Sequence, residues 1–213
     1  MFFAQTTPNP TGSRPRRAEP FRLWIDQVGV FTVFAQERIE IGGPASTENQ
    51  ADLVLGANLS RRHAALLRCE EHFVLEAFGP ASVDGNPVTD RALLRDGSRV
   101  TLGRTVEWVF RIPSVLSQTA RIEFESSHRP QQPTDAVILM DDTCVLGPHP
   151  DSHIRCHHWR EPVLIYRRGV ELWCKSRERL DVDGNPTAAA TELQANCTIS
   201  GPELQFRVEV GGK

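Results

Sequence analysis

Ser60-Arg61-Arg62-His63 is the densest run of chemically capable side chains in the sequence. One hydroxyl and two guanidinium groups in three residues are the donors a phosphoryl group takes. Such a group brings about −1.5 to −2 charges and three strong acceptor oxygens. The planar guanidinium fork suits phosphate or carboxylate better than an ammonium does, and only Lys175 and Lys213 are lysine. Ser60 and His63 also have the types of a nucleophile and its base. No G-x-S-x-G elbow surrounds the serine, and no third residue is in place to orient the base, so the spacing supports no hydrolase. A second cluster, Cys144, His149, His153, Cys156, His157 and His158, contains ligand types that zinc accepts. If 153–157 is a strand, His153, Arg155 and His157 share one face and Ile154 and Cys156 the other. Neither face then collects a tetrahedral set. The reading is no metal, no cofactor and no catalytic residue.

Phosphate donors of this kind work on loops held by a rigid scaffold. The flanking sequence supplies short alternating segments: Arg22–Asp26, Val30–Phe34, Arg38–Ile41, Ala51–Leu55, His63–Arg68, His72–Ala77, Arg99–Leu102 and Glu107–Ile112. Gly, Pro, Asn and Asp separate them at turn positions. No window keeps helical spacing for three turns. Short strands at this spacing predict an all-β sandwich.

The sequence also repeats. Val83-Asp84-Gly85-Asn86-Pro87 recurs as Val182-Asp183-Gly184-Asn185-Pro186, an offset of 99. The same offset pairs Arg68 with Arg167, Arg61 with Arg160, Leu23 with Ile122 and Ile25 with Phe124. Gly43-Pro44 matches Gly147-Pro148, and Phe110-Arg111-Ile112 matches Phe206-Arg207-Val208. Two tandem copies of one β domain follow, over 21–113 and 120–210, joined by a linker over 114–119. Residues 1–20, rich in Pro and almost without apolar side chains after Gln5, read as a disordered tail.

Ile39-Glu40-Ile41-Gly42-Gly43, then Asn58-Leu59-Ser60-Arg61-Arg62-His63-Ala64, then Val83-Asp84-Gly85 and Leu94-Arg95-Asp96-Gly97-Ser98-Arg99-Val100-Thr101-Leu102-Gly103 follow one another in the first copy. In this order they resemble the forkhead-associated (FHA) domain. The resemblance covers about 90 residues, and Ser-Arg-x-His-Ala is its most specific part. It implies two tandem FHA-like β-sandwiches, each of eleven strands, with phosphothreonine peptides bound by loops at one end. It assigns phosphopeptide contact to Ser60, Arg61 and Arg62 and structural support of the loop to His63.

Two departures bear on function. The family's Gly-Arg arginine is Gly43 here, and its Asn-Gly-Thr turn is absent from Phe78-Gly79-Pro80-Ala81-Ser82. The second copy has Trp159, Glu161 and Pro162 where the first has Ser60, Arg62 and His63, and keeps only Arg160. The expectation is a non-enzymatic adaptor with a weakened phosphothreonine site in the first copy, or a scaffold that keeps the fold without that chemistry. Restoring the arginine, Gly43→Arg, is expected to strengthen binding if the loops keep family geometry. Net charge −3 argues against nucleic acid as a partner, and no stretch approaches the ~18 apolar residues of a membrane span. Five Cys without a CxxC pair suggest a reducing cytoplasm.

Overall fold

The structure, a computed structural model, describes residues 19–45 and 50–210. The tail reading for 1–20 therefore lies almost wholly outside the described residues. Every regular element is a strand. The first eleven are β1 (Phe21–Ile25), β2 (Gly29–Phe34), β3 (Arg38–Gly42), β4 (Leu53–Val54), β5 (Ala64–Cys69), β6 (His72–Ala77), β7 (Ala81–Val83), β8 (Asn86–Pro87), β9 (Arg91–Leu94), β10 (Arg99–Leu102) and β11 (Val106–Arg111). The next eleven follow in the same order: β12 (Ala120–Phe124), β13 (Ala136–Leu139), β14 (Thr143–Gly147), β15 (Ile154–Arg155), β16 (Val163–Arg168), β17 (Glu171–Ser176), β18 (Asp181–Val182), β19 (Asn185–Pro186), β20 (Ala190–Glu192), β21 (Thr198–Ser200) and β22 (Gln205–Val210).

Local sequence explains the turns. Asp84-Gly85 and Asp183-Gly184 have positive φ at both residues, 51° and 78°, and 50° and 79°. That is the two-residue hairpin geometry whose twist matches the flanking strands. The aspartates do more than tolerate it. Asp84 Oδ1 accepts the Arg99 N–H at 2.8 Å, and Asp183 Oδ1 accepts the Thr198 N–H at 2.9 Å. Each turn is thereby tied to the next strand of its sheet.

Strand pairing does not follow the sequence repeats. One twelve-stranded sheet runs β19-β18-β21-β22-β1-β2-β13-β12-β11-β10-β7-β8. β1 pairs with β22 of the second repeat, Leu23 opposite Val208, and β12 pairs with β11 of the first, Ile122 opposite Phe110. Each repeat has given its first hairpin to the other. The exchanged hairpins meet at the centre, where β2 and β13 run parallel with Phe31 opposite Ala136 and Val33 opposite Ile138.

Two five-stranded sheets, β4-β3-β5-β6-β9 and β15-β14-β16-β17-β20, complete the fold. They cover opposite faces of the long sheet. Successive side chains of a strand point to opposite faces. In β13 Ala136 and Ile138 belong to one core, with Leu23, Phe31, Ile165 and Phe206, while Val137 and Leu139 belong to the other, with Ile41, Leu66, Trp108 and Phe110. All four β13 residues are buried, so its apolar run shows no alternation. Each packed unit is a β-sandwich of six strands on five. The boundaries 21–113 and 120–210 describe the sequence repeat, and the packed units redistribute it: the first holds β3–β13, the second β14–β22 with β1 and β2.

The crossings are fastened by equivalent arginines. Arg68 reaches Asp141 Oδ1 and the Met140 carbonyl, both at 2.7 Å, just after β13. Arg167 donates to the Ala35 carbonyl at 3.1 Å, just after β2. The segment 112–119 joins β11 to β12, which are direct neighbours with Arg111 opposite Arg121. A short linker between paired strands is a hairpin connection, and it keeps β12 beside β11.

Candidate functional site

Three loops meet at one end of the first sandwich: 55–63 after β4, 78–80 after β6 and 103–105 after β10. The Phe78 and Gly79 N–H groups donate to the His63 carbonyl at 2.9 and 3.0 Å, and the Gly103 N–H donates to the Pro80 carbonyl at 2.8 Å. His63 is only 3% exposed. Its Nδ1 accepts the Ser60 N–H at 3.2 Å, which leaves the ring proton on Nε2, 2.9 Å from the Pro80 carbonyl. Both ring nitrogens are thus engaged with backbone. The imidazole braces two loops and has no nitrogen left to take a proton from Ser60.

Ser60 and Arg61 are exposed, and neither the hydroxyl nor the guanidinium bonds to another described residue. Their backbone is fixed. The Gly43 N–H donates to the Ser60 carbonyl at 2.9 Å, and the His63 N–H donates to the Ile41 carbonyl at 2.8 Å. Arg62 stands apart from the other two. Its Nη2 lies 2.5 Å from Glu40 Oε1, and its guanidinium sits 5.7 Å from the Phe78 ring centre. Phe78 itself is 47% exposed. The four residues expected to form and support the site lie on one loop, with Ser60 and Arg61 open, Arg62 paired and His63 beneath.

The place of the missing arginine is closed. A Cβ on Gly43 would collide with the Leu59 carbonyl oxygen and lie 3.1 Å from the Ala57 carbonyl. A Cβ on Gly42 would collide with the Arg61 carbonyl. Two successive glycines let the loop rest on the backbone of β3, and the loop now fills the space an arginine stem needs. This packing argues against the gain expected from Gly43→Arg. A Gly-Gly pair at a strand end is the sequence signal for such close approach.

Segment 126–131 of the second repeat also supports this end, and no motif along the chain points to it. The Gly56 N–H donates to the Arg129 carbonyl at 3.0 Å, and the Gln131 N–H donates to the Val54 carbonyl at 2.9 Å. The segment arrives there only because β12 and β13 were exchanged.

The corresponding end of the second sandwich is built differently. Trp159 is buried, 6.1 Å from Phe206 between ring centres. Arg160 is paired with Glu203 at 2.6 Å. Pro162 stands where the first repeat has its bracing histidine. The strand assumed over 153–157 is only Ile154–Arg155, and His153, Ile154 and Cys156 are all buried while Arg155 and His157 are exposed. The reason is a hydrogen bond. His153 turns inward so that its Nδ1 accepts the Val145 N–H at 2.8 Å. In the first sandwich Asp52 Oδ2 accepts the matching Glu40 N–H at 2.8 Å. Burial, helped by the Arg121 charge, lowers the His153 pKa to about 4, so the ring is neutral as this bond requires. Burial also raises the Cys144 and Cys156 thiols, the latter to about 12. Among the described residues no group of three His, Cys, Asp or Glu is arranged to hold a metal ion.

No family model and no curated protein matches the chain. Several solved structures are similar to it. The FHA domain of the CT664 protein from Chlamydia trachomatis is 23% identical, with a TM-score of 0.30, over 39% of this chain and 89% of that one. The FHA-2 domain of the Mycobacterium tuberculosis ABC transporter Rv1747 is 20% identical, with a TM-score of 0.30, over 62% and 90%. The N-terminal FHA domain of EssC, a component of the bacterial Type VII secretion apparatus, is 10% identical, with a TM-score of 0.25, over 89% and 92%.

Proposed function

We propose that the protein is a non-enzymatic interaction module that binds a phosphothreonine-containing protein segment at the first sandwich, through Ser60 and Arg61. One observation carries the reading. An exposed hydroxyl and an exposed guanidinium without a carboxylate partner sit side by side on a loop whose backbone is locked by Gly43, Ile41 and His63. Pre-positioned donors need little ordering when a ligand arrives. The sequence motif that carries Ser60 and Arg61 is also the part that most resembles a phosphopeptide-binding family. Arg62 contributes less, because Glu40 already neutralises it. The matching loop of the second sandwich, with Trp159 buried and Arg160 paired, offers no equivalent pair of donors.

The test is binding of phosphothreonine peptides and their unmodified counterparts to the full chain. Arg61→Ala should cost about 1.5–3 kcal/mol of phosphopeptide binding, the range for hydrogen bonds to charged groups. Arg62→Ala should cost under about 1 kcal/mol, and Arg160→Ala should change nothing. Equal binding of modified and plain peptides by the native protein would remove the reading.

A second reading rests on Gly43. With the arginine position filled by loop backbone, the end of the sandwich can serve as a phosphate-independent protein contact. Plain peptides or proteins binding as tightly as phosphorylated ones, with Ser60 and Arg61 still required, would select it.

A further inference from the structure

The exchange of hairpins places a second source of positive charge beside the candidate site. Most arginines of the first sandwich are neutralised: Arg38 by Glu76, Arg62 by Glu40, Arg91 by Glu76 and Arg99 by Glu125, at 2.5 to 2.7 Å. Arg61, Arg104 and Arg129 have no carboxylate partner among the described residues, and all three are exposed. Arg95 also lacks one, but it precedes β10, at the opposite end of that strand from Arg104.

The loops that carry the three arginines touch. Gly103, next to Arg104, packs so closely on loop 55–63 that an added Cβ would lie 3.1 Å from Leu59 Cδ2. Thr105 Oγ1 is 3.4 Å from His128 Nε2. The Arg129 carbonyl accepts the Gly56 N–H. The Arg129 guanidinium is held by the Ser126 and His128 carbonyls and lies 5.8 Å from the Phe124 ring centre, so its charge is placed without being cancelled.

We infer that Arg104 and Arg129 form an acidic-residue subsite next to Ser60 and Arg61, so the preferred partner is a phosphothreonine segment flanked on one side by Asp or Glu. Carboxylates match the forked geometry of guanidinium. The ligand would be read by both repeats at once, since Arg104 belongs to the first and Arg129 to the second. This inference rests on the phosphothreonine reading, and its test separates the two.

The test uses the full chain and four short peptides by fluorescence anisotropy: phosphothreonine with acidic residues before it, after it or on neither side, and an unphosphorylated acidic peptide. One acidic phosphopeptide should bind about fivefold to tenfold tighter than the neutral one, the effect of one or two exposed charge pairs. Its affinity should also fall more steeply with salt. Arg104→Ala and Arg129→Ala should each remove part of that advantage and cost the neutral phosphopeptide less than the acidic one. Arg104→Glu, which keeps a long polar side chain, should reverse the preference and so exclude simple loss of folding. Equal affinity for acidic and neutral phosphopeptides would overturn the subsite and leave the phosphothreonine reading standing. Binding of the acidic peptide irrespective of phosphate, still dependent on Arg104 and Arg129, would support the subsite and overturn the phosphothreonine reading. Absence of binding by every peptide would overturn both.

Discussion

At matching ends of the two sandwiches, one loop leaves its serine and an arginine unpartnered in solvent and the other turns a tryptophan into the core. In 55–63 the serine and both arginines are exposed above a buried histidine, and Arg61 is unpaired. In 156–162 the serine's place is taken by Trp159, which packs on Phe206, and the retained Arg160 is paired with Glu203. The same scaffold supports both outcomes because what it demands is backbone closure. Gly42 accepts the Leu55 N–H and Gly147 accepts the Cys156 N–H, at 2.9 and 2.8 Å, whatever the side chains beyond them do. Binding chemistry is grafted on the loops and is lost there without loss of the fold.

The sharpest way to break that comparison is to separate the repeats. A chain ending at residue 113 lacks Ala120, Ile122, Val137 and Leu139, which complete the core around Trp108 and Phe110. It should show no cooperative thermal unfolding by circular dichroism. Single substitutions then show which sandwich each hairpin serves. Ile122→Ala should cost about 2–5 kcal/mol and speed amide exchange in β5 and β6 of the other repeat. Leu23→Ala should do the same in β16 and β17. Loosening confined to the mutated repeat would mean that hairpins close on their own repeats.

The next test uses acid. His153 has its pKa lowered from 6.5 to about 4 by burial, so the unfolded chain binds the proton first as pH falls. Stability from this group is complete above pH 6.5 and is lost between there and about pH 4. The loss totals on the order of 3 kcal/mol, at about 1.4 kcal/mol per unit. Urea unfolding at pH 7 and pH 4.5 measures it. His153→Asn, whose amide oxygen can accept the Val145 N–H without titrating, should flatten that part of the profile. A profile unchanged by His153→Asn would show that the histidine is not the titrating group.

The smallest expected effect concerns the closed arginine position. Gly43→Arg should destabilise the first sandwich by about 1–3 kcal/mol through overpacking against Leu59, and should not improve phosphopeptide binding. Improved binding with unchanged stability would mean that loop 55–63 yields more easily than its hydrogen bonds indicate.

Much of the fold was legible because it depends on local pattern. Alternation at Phe21, Leu23 and Ile25 gives a half-buried strand, and the Asp-Gly pairs fix two hairpins. The strands β7, β8 and β9 span three, two and four residues, too short for alternation to announce them. Of the candidate site, the loop and the burial of His63 beneath it follow from the Ser-Arg-x-His pattern. That Arg62 is paired and Arg61 is not depends on where Glu40 projects from a neighbouring strand, which no spacing along 60–63 encodes. His153 was placed on the wrong side because a two-residue strand does not enforce alternation beyond its ends.

The amino-acid sequence determined the strand content, the turns, the twofold repeat and the motif on loop 55–63. Only the tertiary structure decided which hairpin closes which sandwich. β1 and β12 present the same apolar alternation, Leu23 and Ile25 against Ile122 and Phe124, so either fits either core. Pairing between strands is made by backbone groups that are the same in every residue. The choice therefore falls to connectivity. The segment 112–119 holds β12 against β11, Arg68 and Arg167 fasten the crossings, and the buried runs of β2 and β13 fill the centre between two cores.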